Sequence, residues 1–80
     1  MTEPRERIVK YLARFVPGRT LLGDEDLFAS GIITSLSAMQ LVAFIEREFE
    51  LTVENDDLTR DNFRSVDALT ALVQRKRIAT

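Results

Sequence analysis

Three stretches of this 80-residue chain repeat apolar residues at the spacing of one helix face, and only one short run could instead be extended. The strongest stretch starts at Ser35. Placed on a wheel at 3.6 residues per turn, Ala38, Leu41, Val42, Ile45 and Phe49 fall on one side as a core stripe. Ile8, Val9, Leu12, Phe15 and Val16 repeat in the same way near the start, and Val66, Leu69, Leu72 and Val73 near the end. Leu51-Thr52-Val53 has no second strand-like run to pair with, so Val53 reads as a plug into a helical core. The pattern predicts an all-α fold: a small bundle of three main helices plus one short helix, in a single domain over residues 1–80.

The boundaries follow from caps and breakers. The first helix is expected over about residues 3–16, with Thr2 as cap, Glu3 and Pro4 in its opening turn, and Pro17-Gly18 ending it. From Pro17 to Thr34 runs a connection longer than a usual helix–helix link. Leu21, Leu22, Leu27, Phe28, Ile32 and Ile33 can pin it across the bundle, and Asp24 or Asp26 can start a single helical turn. It is either a packed crossover or a scaffold for a site where it closes on the next helix. Thr34 should cap a helix over Ser35–Glu50. Glu54–Asp57 reads as a turn or cap, Leu58–Phe63 as a short helix, and Ser65 as the cap of a last helix that frays among Arg75–Arg77.

The Ser35 helix carries a second apolar stripe. Leu36, Met39 and Ala43 lie opposite the core side, among Gln40, Glu46, Arg47 and Glu50. Two readings are open: the helix is sandwiched and this stripe is more core, or the stripe is a surface for partners. The Ser35 hydroxyl stands at the very start of the helix, where unpaired amides and the macrodipole favour an attached anion.

Composition removes several function classes. With no cysteine and no histidine, disulfides, thiolate chemistry, the common zinc sites and the usual general base are all absent, so a self-contained hydrolase is not expected. No apolar run approaches the roughly 20 residues that span a bilayer, and the charged, amphipathic start is unlike a secretory signal. The net charge of −2 is uneven: eleven acids between Asp24 and Asp67 face only Arg47, Arg60 and Arg64. That middle segment, at −8, should repel nucleic acid and attract a basic protein partner. A cytoplasmic monomer with no nucleic-acid or membrane partner is expected.

The sequence resembles the acyl carrier proteins over nearly its whole length, from the first helix to Val73. The resemblance rests on Gly31-Ile-Ile-Thr-Ser35-Leu36, then Leu41-Val42, Glu46, Glu48 and Phe49, and the late Ser65-Val66. It implies that 4′-phosphopantetheine is attached to Ser35 by a Mg²⁺-dependent phosphopantetheinyl transferase using coenzyme A. It also implies that Leu36, Met39, Gln40, Ala43, Glu46 and Arg47 form the docking face for acyl-loading and modifying enzymes, including acyltransferases or ketosynthases. Such a carrier has no catalytic residues of its own.

Departures from the fatty-acid type are informative. Thr34 replaces a usual aspartate, Gln40 a usual glutamate, and Arg47 interrupts the acidic run. The string Ser-Leu-x-Ala-Met-Gln-Leu-Val, with Thr-Val-Glu-Asn-Asp-Asp-Leu and Asp-Asn-Phe-Arg-Ser-Val-Asp after it, is similar to free-standing carriers of polyketide and hybrid pathways that handle methoxymalonyl, hydroxymalonyl or aminomalonyl units. Free-standing aminoacyl or peptidyl carriers are the alternative, followed by a helical adaptor in which Ser35 carries nothing.

Overall fold

A computed structural model describes residues 4–18 and 20–79, with side chains through Arg77. The expected Thr2 cap and the place of Glu3 lie outside the described residues. Four α-helices are present: α1 Pro4–Leu12, α2 Ser35–Phe49, α3 Arg60–Phe63 and α4 Val66–Ala79, with a single 3₁₀ turn at Asn55–Asp57. No strand occurs among the described residues. Helix α4 packs against each of the other three, and the core lies around it.

Helix α1 is shorter than its apolar repeat suggests. After Leu12 the amides of Arg14, Phe15 and Val16 bond three residues back, to Tyr11, Leu12 and Ala13, at 3.2, 2.9 and 3.3 Å. This tighter winding turns the following side chains off the helical stripe. Phe15 is therefore exposed and Val16 only half-buried, whereas Ile8 and Leu12 are fully enclosed.

The long connection is a packed crossover. Leu27, Ile32 and Ile33 are buried, Leu21 and Phe28 are half-buried, and Leu22 points to solvent. Backbone bonds fasten it to the α3–α4 junction: the Leu27 amide donates to the Arg64 carbonyl at 2.6 Å, and the Asp67 amide to the Gly23 carbonyl at 2.9 Å. A Cβ at Gly23 would stand 2.6 Å from the Asp67 carboxylate, which pairs with Arg5, so a larger residue there would push that ion pair aside.

In α2 the buried residues are Leu41, Phe44 and Ile45, while Ala38, Val42 and Phe49 are half-buried. The core stripe is thus rotated from the wheel reading, toward Phe44. The reason is aromatic: Phe44 stacks on Tyr11 of α1, ring centroids 4.2 Å apart and nearly parallel, and Phe49 meets Phe44 edge-on at 6.2 Å. After α2, Leu51 is the buried plug and Val53 is half-buried.

Helix α4 starts as expected, with the Ser65 hydroxyl accepting the Ala68 amide at 3.0 Å. It does not fray at Arg75 but continues to Ala79. Lys76 donates to Asp57 at 2.7 Å, and Arg75 to Asn62 at 3.1 Å, which ties the last turns to the 3₁₀ turn and α3. The Lys76 hydrogen bond holds the Asp57 carboxyl below its usual range, helped by the Glu54 amide, and Asp57 in turn raises Lys76.

Candidate functional site

The start of α2 is held by a reciprocal cap. The Thr34 hydroxyl accepts the Ser37 amide at 3.3 Å, the Ser37 hydroxyl accepts the Thr34 amide at 3.4 Å, and the two hydroxyls lie 3.0 Å apart. The Ala38 amide bonds the Thr34 carbonyl at 2.8 Å. This leaves the amides of Ser35 and Leu36 with no hydrogen-bond partner among the described residues. Ser35 itself is exposed.

The approach to this cap is shaped by one turn of the crossover. Asp26 Oδ1 accepts the amides of Ala29 and Phe28 at 2.9 and 3.0 Å, and the Ala29 bond leads the causes that hold the Asp26 carboxyl below its usual range. The turn closes at Gly31, whose φ of +81° is a conformation glycine adopts without strain. It sets the Phe28 ring beside the helix start, and the Arg60 guanidinium lies over that ring at 4.9 Å. Ser35 opens onto a groove of about 290 Å³ between α2 and α3, with Phe28, Ala38, Val42 and Phe63 in its walls and Arg60 as the single cation along it among the described residues.

The outward face of α2 is uncovered among the described residues. Leu36 is 74% and Met39 59% exposed, and Gln40, Ala43 and Arg47 are exposed as well. The sandwiched-helix reading therefore does not hold for this stripe. Glu46 differs from its expected neighbours on the rim: it is half-buried, and its carboxylate accepts the Val53 amide at 2.9 Å. It braces the segment after α2 rather than standing free.

Arg60, Phe28 and Thr59 line the groove, although the sequence marks Phe28 only as a pin of the crossover and gives Arg60 and Thr59 no place at a site. The available signal was Thr59, whose hydroxyl accepts the Asn62 amide at 3.3 Å and so starts α3 two residues later than a helix from Leu58 would. That start puts Arg60 in the first position of α3.

A family model described as "Phosphopantetheine attachment site" matches residues 6–73. The chain belongs to that family. Its cofactor is covalently attached 4′-phosphopantetheine, and its members are carriers that are not catalysts themselves. Aminoacyl carrier protein 1 of Bradyrhizobium diazoefficiens is 29% identical over 75 residues, which span 90% of this chain and 83% of that protein. The D-alanyl carrier protein of Lactococcus lactis subsp. lactis is 30% identical over 54 residues, 68% of each chain. The crystal structure of Bradyrhizobium japonicum glycine:[carrier protein] ligase complexed with cognate carrier protein and an analogue of glycyl adenylate contains a chain with the same fold. The TM-score to that chain is 0.67 at 26% identity, covering 95% of this chain and 97% of that one. The all-helical carrier fold expected from the sequence is the fold observed. The narrower likeness to extender-unit carriers finds no counterpart among these relatives, which are aminoacyl and D-alanyl carriers. No helix among the described residues is long and apolar enough to cross a membrane.

Proposed function

We propose that this carrier holds an amino acid as a thioester on 4′-phosphopantetheine attached at Ser35, and receives it from an aminoacyl-activating ligase. The observation that carries the site assignment is the exposed Ser35 hydroxyl beside two unpartnered amides at the mouth of the groove. The donors suit a phosphodiester: the Ser35 and Leu36 amides and the positive end of α2 favour its charge, and Arg60 supplies a cation within the same groove. The group would contribute a terminal thiol, which the chain lacks, since it has no cysteine. Ser35 is the nucleophile that takes the phosphoryl group, and no strong base stands among the groove-lining residues, so the transferase must supply the activation.

The relatives favour an aminoacyl cargo over a polyketide extender unit. The relatives are named for aminoacyl and D-alanyl groups, and the structural match comes from a complex with a glycine ligase. Polyketide extender units rest on the motif likeness alone. The outward stripe of Leu36, Met39 and Ala43, with Gln40 and Arg47 beside it, would meet both the transferase and the ligase, because either must approach the start of α2 to reach Ser35.

The test is to convert the protein with a promiscuous phosphopantetheinyl transferase and coenzyme A, then incubate it with the glycine:[carrier protein] ligase, ATP and single amino acids. An aminoacyl mass increment that hydroxylamine removes is the expected result. Loading by malonyl-type acyltransferases, with no aminoacylation by any carrier ligase, would overturn the aminoacyl reading.

A further inference from the structure

The cleft between α1 and α2 has a charge opposite to that of the chain as a whole. It measures about 450 Å³, and Arg7, Lys10, Arg14 and Arg47 converge on it in a protein of net charge −2. Its one acid, Glu48, is taken by Arg7 at 3.4 Å. Lys10, Arg14 and Arg47 are exposed, and none has a carboxylate at ion-pair distance among the described residues. Gathering like charges in this way opposes folding, and of the four cations only Arg7 has a carboxylate partner in the cleft. The floor is the stacked pair of Tyr11 and Phe44. The Arg14 guanidinium rests over the Tyr11 ring at 5.8 Å, held by an aromatic ring rather than an anion, and that of Arg7 lies over Phe49 at 5.8 Å besides pairing with Glu48.

We propose that this cleft is a docking surface for an acidic segment of a partner protein. Arg7, Lys10 and Arg14 follow one another along α1 and the turn after it, a row roughly 10 Å long at the helical rise. That spacing serves several carboxylates in succession and exceeds the span of one phosphate. An extended polyanion such as a nucleic acid would also meet the acidic middle of the chain, at −8, which a short acidic segment avoids. Arg47 belongs to α2 and flanks the exposed stripe of Leu36, Met39 and Ala43, so one partner can cover both surfaces. This last step rests on the docking role proposed for α2; the charge of the cleft does not.

The test uses ¹⁵N-labelled chain with Ser35 unmodified, titrated at low salt with an oligoglutamate peptide and followed by amide shifts. Whether Ser35 can be modified is read in a separate assay, so the two outcomes are independent. Shifts should concentrate at Arg7–Arg14 and Phe44–Glu48 and fade as salt rises. The double variant Lys10→Glu, Arg14→Glu should weaken binding about tenfold or more, while Lys10→Arg with Arg14→Lys retains it. If charge reversal unfolds the protein, Lys10→Gln with Arg14→Gln replaces it and should weaken binding in the same direction. Equal shifts at Arg75–Arg77, no binding, or equal shifts with inorganic phosphate at matched charge would each overturn the proposal.

Discussion

The Glu46 carboxylate accepts the Val53 backbone amide at 2.9 Å, joining the last turns of α2 to the segment that leads to the 3₁₀ turn. Glu46 lies on the helix among residues expected to meet partners, yet its bond points inward. Replacing Glu46 by Ala should therefore lower stability by about 1 kcal/mol, the net worth of one such hydrogen bond. Glu46→Gln, which keeps an acceptor, should retain most of it. Arg47→Glu, one residue on, should leave the thermal melt nearly unchanged. Melting curves of the three variants side by side check the distinction.

Phe44 should matter more to the fold than Phe49. Phe44 is buried and stacked on Tyr11, whereas Phe49 is half-buried and meets Phe44 at its edge. Phe44→Ala is expected to cost about 3–5 kcal/mol, a large part of the stability of so small a domain. Phe49→Ala should cost clearly less. Denaturant unfolding of both variants gives the order, and the reverse order would contradict the observed packing.

Most of the fold was legible because local signals agreed with tertiary ones. Thr34 and Ser65 are capping residues followed by periodic apolar residues, and both cap as expected. The failures have physical causes. The repeat through Val16 suggested a longer α1, but nothing in it encodes the change from four- to three-residue bonding at Arg14. Phe44 lies off the core stripe of the wheel, which is centred near Ala38 and Ile45, and only a neighbour such as Tyr11 shows where the stripe points. At the site, Ser35 and the exposed stripe could be read from one helix. Arg60 could not, since its place beside the groove depends on Phe28, 32 positions earlier in the chain.

Acid should loosen the packing of α4 on the 3₁₀ turn. The Asp57 carboxyl is held below its usual range, chiefly by the Lys76 hydrogen bond. A depressed carboxyl contributes stability that is complete above its unfolded value, about 3.9, and is lost as pH falls through the lower folded value. Asp26, depressed first by the Ala29 amide, acts in the same direction. Lys76 is raised, so its contribution holds below about 10.4 and is lost only as pH rises through the higher folded value. The melting temperature should thus fall below about pH 4, and Asp57→Asn should flatten that dependence.

Met39 tests whether the outward stripe is for partners. At 59% exposure it contributes little to the core, so Met39→Glu should fold and melt like the parent. Transfer by the phosphopantetheinyl transferase and loading by the ligase should both slow, because an apolar centre of the interface gains a charge. Unchanged rates for both enzymes would remove the stripe from the docking face.

The central claim is that Ser35 carries the prosthetic group. The direct measurement is the intact mass of the parent and of Ser35→Ala, each coexpressed with a promiscuous phosphopantetheinyl transferase, beside their helical circular dichroism. The parent should gain one phosphopantetheine and Ser35→Ala none, with the same helicity in both. Modification of Ser35→Ala, through Ser30, Ser37 or any other hydroxyl, or a parent that is never modified, would contradict the account.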